Sequence, residues 1–179
     1  VKAQAPKAVC QLYPTGVADN LIINREKPPF DKAEVRKAMS LALDRTSFIK
    51  ILFEGQAKVG GAMLPAPSGE WGMPEVMLHE LTGYGDVEKN QAEARRLMQS
   101  LGYGPDKPLK VKVSTRNTAI YRDPAVILID QLKDIYIDGE LDVVESGIWF
   151  AKVARKDYSV GLNLTGAGID DPDQTFYEN

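Results

Sequence analysis

The stretch that decides the fold runs from Leu109 to Leu164. It opens with Leu109-Lys110-Val111-Lys112-Val113, where apolar and charged side chains alternate strictly. That two-residue period belongs to a strand with one face covered and one face wet. Ala125, Leu128, Ile129, Leu132, Ile135 and Tyr136 then fall on one helical face, with Pro124 suited to the first turn. Leu141-Asp142-Val143-Val144 reads as a second strand and Trp149 to Arg155 as a short helix. Tyr158, Val160, Leu162 and Leu164 alternate as a third strand. Strand, helix, strand, helix, strand predicts an α/β layer with parallel neighbours joined by right-handed crossovers. Fully covered parallel strands are continuously apolar, so the alternation points to a mixed sheet with one partly open face, flanked by helices.

Toward the N-terminus, Leu21-Ile22-Ile23-Asn24 is a short apolar strand stopped by Pro28-Pro29. Asp31 is placed to cap a helix whose buried stripe is Val35, Ala38, Met39, Ala42 and Leu43. Asp44 re-caps a second short helix carrying Phe48, Ile49, Leu52 and Phe53, and Gly55 is its stop. Gly55 to Gly85 is rich in Gly and Pro and reads as a long loop, either at a functional edge or as a surface excursion pinned by Trp71 and Met73. Asn90 or Asp86 starts the next helix, with Ala94, Leu97, Met98 and Leu101 on one face and Gly102 at its end. Val1 to Thr15 reads as irregular or extended. The chain starts at Val1 without a basic-then-apolar leader, which suggests processed or truncated material.

Composition bounds the function. The 179 residues carry a net charge of −3, with 44% hydrophobic and 26% charged side chains, which is globular usage for a single domain. Mild acidity without a basic run argues against nucleic acid, and no apolar run is long enough to insert into a membrane. Cys10 is the only cysteine and His79 the only histidine, so an intrachain disulfide, a CxxC site and a multi-histidine metal site are excluded. His79 reads as a surface or loop residue.

In an open α/β sheet, ligands bind beyond the C-terminal ends of the strands. Three such ends are nameable, and they are expected to converge on one cleft. The first holds Thr115, Arg116 and Asn117, the second runs from Glu145 through Ser146 and Gly147 to Trp149, and the third holds Gly166, Ala167, Gly168, Ile169, Asp170 and Asp171. Arg116, or Arg122 beside it, offers a planar fork of donors that suits a carboxylate, or else a solvated cation. Trp149 has flat area for stacking, or is a core tryptophan. The glycines at 166 and 168 permit close backbone approach, or form a plain turn. Gly166-Ala167-Gly168 is not GxGxxG, since Asp171 and Pro172 follow, and the aspartates at 170, 171 and 173 lack the glycine and glutamate of a calcium loop. No pair of carboxylates is set up for acid–base division, and no nucleophile is set beside a base. The pattern points to binding rather than catalysis, with no metal and no cofactor.

Certain residues carry a resemblance. Asn24, Pro28-Pro29-Phe30-Asp31, then Val35-Arg36-Lys37-Ala38-Met39-Ser40-Leu41-Ala42-Leu43-Asp44-Arg45 and Gly55 resemble the signature of extracytoplasmic solute-binding proteins of peptide-type ABC transporters, solute-binding family 5. The helix from Asn90 to Leu101 with Gly102-Tyr103, the tryptophan Trp149, and Asp170-Asp171-Pro172 are similar to further family marks. The resemblance implies one lobe of a periplasmic-binding-protein-like (type II) fold, residues 1–179 forming the C-terminal lobe of a longer two-lobed protein. Residues 1–19 are then an extended segment near the inter-lobe hinge. It implies a periplasmic protein that captures a peptide or other small solute and delivers it to an ABC permease in the membrane. Family solutes range over peptides, opines, sugars, nickel complexes and haem. Family peptide binders hold the ligand amino terminus with an aspartate where this chain has Gly168, so Asp170 or Asp171 substitutes, or the solute is not a standard peptide. Two other classes stand beside this reading: an α/β transferase or hydrolase, and a ligand-sensing receptor domain.

Overall fold

The computed structural model describes residues 17–61, 63 and 69–166, with 4, 7, 9, 171 and 173 as isolated positions. The expectations for Cys10 and for most of Val1 to Thr15 lie outside the described residues. Within them the chain forms β1 (Val17–Ile23), α1 (Ala33–Ala42), α2 (Arg45–Phe53), α3 (Glu75–Leu78) and α4 (Val87–Ser100). It continues as β2 (Leu109–Arg116), α5 (Ala119–Lys133), β3 (Ile137–Val144), α6 (Ser146–Ala154) and β4 (Val160–Gly166).

The sheet order is β1-β4-β2-β3. β2 runs parallel to both β3 and β4, and β1 lies antiparallel on the outside of β4. The sheet is mixed, as the alternation required. On one face Leu109, Val111, Val113, Ile137, Val160 and Leu162 are buried in a single cluster with Leu128, Ile129 and Leu132 of α5 and with Val35, Ala38, Met39, Ala94 and Met98 of α1 and α4. Gly139 lets α5 approach, because a Cβ there would stand 3.1 Å from Ile129. On the opposite face Lys110, Lys112, Asp138 and Glu140 are exposed, and α6 covers part of the rest. Lys and Glu on that face cost nothing to leave in water, which is why β2 alternates.

The family-like stretch from Asn24 to Arg45 does structural work at several positions. Asn24 is buried, and its Nδ2 donates to the carbonyls of Lys156 and Tyr158 at 2.9 and 3.1 Å. Its Oδ1 accepts from the Glu26 amide, so the end of β1 is tied to the turn before β4. Phe30 enters the core, and Arg36 donates to the carbonyls of Phe30 and Asp31 at 2.7 and 2.9 Å. Asp44 caps α2 by accepting from the Ser47 amide. Arg45 donates to the Gly83 carbonyl at 2.6 Å and lies over the Tyr84 ring. Gly83 has φ +87, and a Cβ would run into the Ser40 carbonyl.

Several local expectations are corrected. Lys32, not Asp31, stands at the start of α1, and no side chain caps it; Asp31 serves Arg36 through its carbonyl instead. Asp86 rather than Asn90 caps α4, accepting from the Lys89 amide. Pro124 lies inside α5, not in its first turn. Its missing N–H releases only the Ile120 carbonyl, near the exposed start of the helix. Glu54 takes the left-handed cap of α2, one residue before Gly55. The 55–85 excursion contains α3 and is anchored by Leu78 and Gly83, with Trp71 58% exposed and Met73 half-buried. His79 is exposed, as expected, with Nδ1 3.2 Å from the Tyr84 carbonyl.

Candidate functional site

Because β2, β3 and β4 are parallel, their C-terminal ends Arg116, Val144 and Gly166 emerge at one edge of the sheet. The antiparallel β1 begins at that same edge, where Val17 pairs with Gly166. The three strand ends therefore lie at one edge, while most of the third loop lies outside the described residues. The Asn117 amide extends the β2–β3 ladder by one bond, donating to the Val144 carbonyl at 2.9 Å, while the Asn117 side chain is exposed.

Side chains alternate at this edge, so neighbours in sequence part company. Thr115 turns into the core, 0% exposed, and its Oγ1 donates to the Leu162 carbonyl at 3.0 Å, with the Tyr121 carbonyl 3.3 Å away. It offers nothing to a ligand, which corrects the expectation for it. Arg116 turns to the other face and remains half-exposed. Its Nε donates to Ser146 Oγ at 3.3 Å and its Nη1 to Tyr121 Oη at 2.7 Å. The guanidinium carbon lies 4.6 Å from the centre of the Tyr121 ring and 5.3 Å from that of Phe150.

α6 follows directly from β3. Glu145 caps it by accepting from the Gly147 amide at 2.7 Å. That start fixes the helix phase: Trp149 points at the sheet, while Ile148 and Phe150 stay exposed at 56% and 63%. Trp149 is fully buried, and its indole N–H donates to Asn163 Oδ1 at 3.0 Å. It is the core tryptophan and not a stacking platform. Its indole holds α6 on β4 and so sets where Ser146 and Phe150 sit. Arg122 is exposed on α5, with no side-chain partner among the described residues. Gly166 and Asp171 are exposed, and Asp171 accepts from the Asp173 amide at 2.9 Å. Ala167, Gly168, Ile169 and Asp170 lie outside the described residues.

The edge thus presents a caged arginine, a second free-standing arginine, an asparagine and exposed apolar side chains. Among the described residues no group of acidic, cysteine or histidine side chains is placed to hold a metal. No helix of the described residues is long and apolar enough to cross a membrane. Sequence reasoning missed Tyr121 and Phe150. The signal for Tyr121 was its place in the turn after Thr118, hidden by starting the helix at Pro124.

A helix-flanked mixed sheet with its strand ends gathered at one open edge defines one lobe of a type II periplasmic-binding-protein-like fold. The model of the bacterial extracellular solute-binding proteins, family 5 Middle, matches residues 1–179, and the chain belongs to that family. The periplasmic oligopeptide-binding protein OppA of Escherichia coli (strain K12) is 29% identical over 105 residues, 58% of this chain and 18% of that protein. Among solved structures, Haemophilus influenzae OppA in complex with RPPGFSPFR superposes with a TM-score of 0.76 at 22% identity, covering 90% of this chain and 31% of that one. DppA of Helicobacter pylori in complex with the peptide STSA superposes with a TM-score of 0.69 at 26% identity, over 90% of this chain and 29% of that one. The chain spans less than a third of the length of each of these.

Proposed function

We propose that this chain is one lobe of the solute-binding component of an ABC importer, acting outside the cytoplasmic membrane. The solute is a peptide or peptide-like molecule. It lies in a cleft between the strand-end edge and a second lobe, and closure about a hinge near residues 1–19 presents the loaded protein to a membrane permease. The observation that carries this reading is the gathering of the β2, β3 and β4 ends at one edge in a chain that matches the family over its whole length. Binding proteins that close on their ligand need contacts from both sides of the cleft. Arg116 supplies the fixed positive group on this side, suited to a carboxylate or another anionic group of the solute. Asn117, Arg122, Gly166 and the segment from Ala167 to Asp171 supply further polar contacts. No chemistry beyond capture is assigned to the site.

The test is calorimetry on the protein that contains this chain together with its second lobe, using a pool of random two- to five-residue peptides. Heat of binding with peptides recovered unchanged supports the proposal. Cleavage or modification of the pool moves the protein to the enzyme class, and absence of binding removes peptides as the solute.

A further inference from the structure

The Arg116 guanidinium is held more tightly than a half-exposed arginine needs to be. Free arginine side chains carry about 2 kcal/mol of rotamer entropy. Here two of its nitrogens are committed to neutral oxygens, and two aromatic rings border it. Neither hydroxyl neutralises the charge. A carboxylate partner would; Glu145, the residue before Ser146, instead spends its Oε2 on the Gly147 amide. Among the described residues, then, the cage orients the charge and supplies no carboxylate to neutralise it.

The cage is built from two helices, α5 and α6, whose starts both lie at the strand-end edge. Tyr121 is in the first turns of α5, where its amide and that of Arg122 donate to the Thr118 carbonyl. Ser146 and Phe150 flank Trp149 on α6, whose buried indole fixes the helix on the sheet.

We propose that Tyr121, with Ser146 and Phe150, is a positioning residue that pre-orients Arg116, so that the order of this arginine sets the preference for a solute bearing an anionic group. Tyr121 does not touch the solute in this scheme; it acts through Arg116. The inference rests on the reading of this edge as the solute site. Pre-ordering a flexible side chain removes part of the ordering cost from the binding step, which is where the affinity comes from.

The experiment has two readouts on the two-lobed protein. The first is NMR of the Arg116 Nε–H with ¹⁵N-labelled arginine, without solute. The native protein should give an ordered, slowly exchanging signal, and Tyr121→Phe should lower its order while leaving the unfolding midpoint nearly unchanged, since the ring stays. A signal as ordered in Tyr121→Phe as in the native protein overturns the inference.

The second readout is the ratio of affinities for the random peptide pool with free C-termini and the same pool with amidated C-termini. Leaving one long side chain to be ordered only on binding should lower this ratio about three- to tenfold in Tyr121→Phe, and Arg116→Met should abolish it. If Arg116→Met abolishes the ratio but Tyr121→Phe preserves it, Arg116 belongs to the site and Tyr121 does not position it. If Arg116→Met leaves both affinities unchanged, the placement of solute at this edge fails, and the inference falls with it.

Discussion

Asn24 shows how much one buried amide can organise. It donates to two carbonyls and accepts from one amide, all backbone, and it joins segments more than a hundred residues apart. Glu26 and Lys156 form an ion pair beside it, across the same junction. A surface pair of this kind adds little, whereas a buried group left without its partner costs its full desolvation. Asn24→Ala is therefore expected to destabilise the protein by about 2–4 kcal/mol. Asn24→Asp should cost at least as much, because an acceptor would face two carbonyls. Urea unfolding checks both, and a change below about 1 kcal/mol would show that water replaces the amide at this junction. Asn24, one of the residues that carry the family resemblance, thus holds the fold together.

At the scale of elements, acid is the informative variable. The Lys89 amide at the start of α4 holds the Asp86 carboxyl below the usual range. A hydrogen bond from Lys37 does the same for Glu93, which links α1 to α4, and Lys156 does so for Glu26. A carboxylate with a lowered folded pKa adds stability that is present above its unfolded value of about 4 and is lost as pH falls through the folded value. Burial pushes Asp19 the other way, so its share is present at low pH and lost as pH rises through its raised folded value. Unfolding midpoints should fall as pH drops below about 4. Lys37→Met should make the fall shallower by removing the shift on Glu93. Asp19→Asn should raise the midpoint at neutral pH and lose that advantage in acid. A pH profile unchanged by Lys37→Met would mean that the α1–α4 pair is immaterial.

Most elements were legible in the sequence because each rests on a local signal. The alternation in Leu109–Val113 gave β2 and the open face, and Asp44 and Gly102 marked helix ends through capping chemistry. The misplaced start of α5 has a physical cause. Pro124 suits a first turn, but a proline early in an exposed helix costs only one carbonyl partner, and the earlier residues found theirs through Thr118. The edge where the strand ends gather was legible in position, but the arrangement of its side chains was not. Strand ends can be read from period and connectivity, whereas the face taken by Thr115, Arg116 or Trp149 depends on register and helix phase. Those are set by contacts such as Trp149 to Asn163, and no spacing encodes them.

For the whole molecule, the site edge is one-sided. Asn117, Arg122 and Gly166 are exposed at this edge, and Arg116 is half-exposed between α5 and α6. If solute is captured between two lobes, the 179 residues alone supply only part of the contacts and none of the closure. The isolated chain should bind the peptide pool far more weakly than the two-lobed protein. Micromolar or tighter affinity for the chain alone, measured by calorimetry, contradicts the shared-cleft arrangement.

The pairing of Val17 with Gly166 places two backbone crossings side by side at the rim of the sheet. Tension applied across those two points loads the β1–β4 ladder like a zipper, one rung at a time, and not in shear. Mechanical strain carried into the domain at this rim is therefore met first by the Val17–Gly166 rung, leaving the β2–β3 pair and the arginine cage behind it undisturbed until the seam has opened.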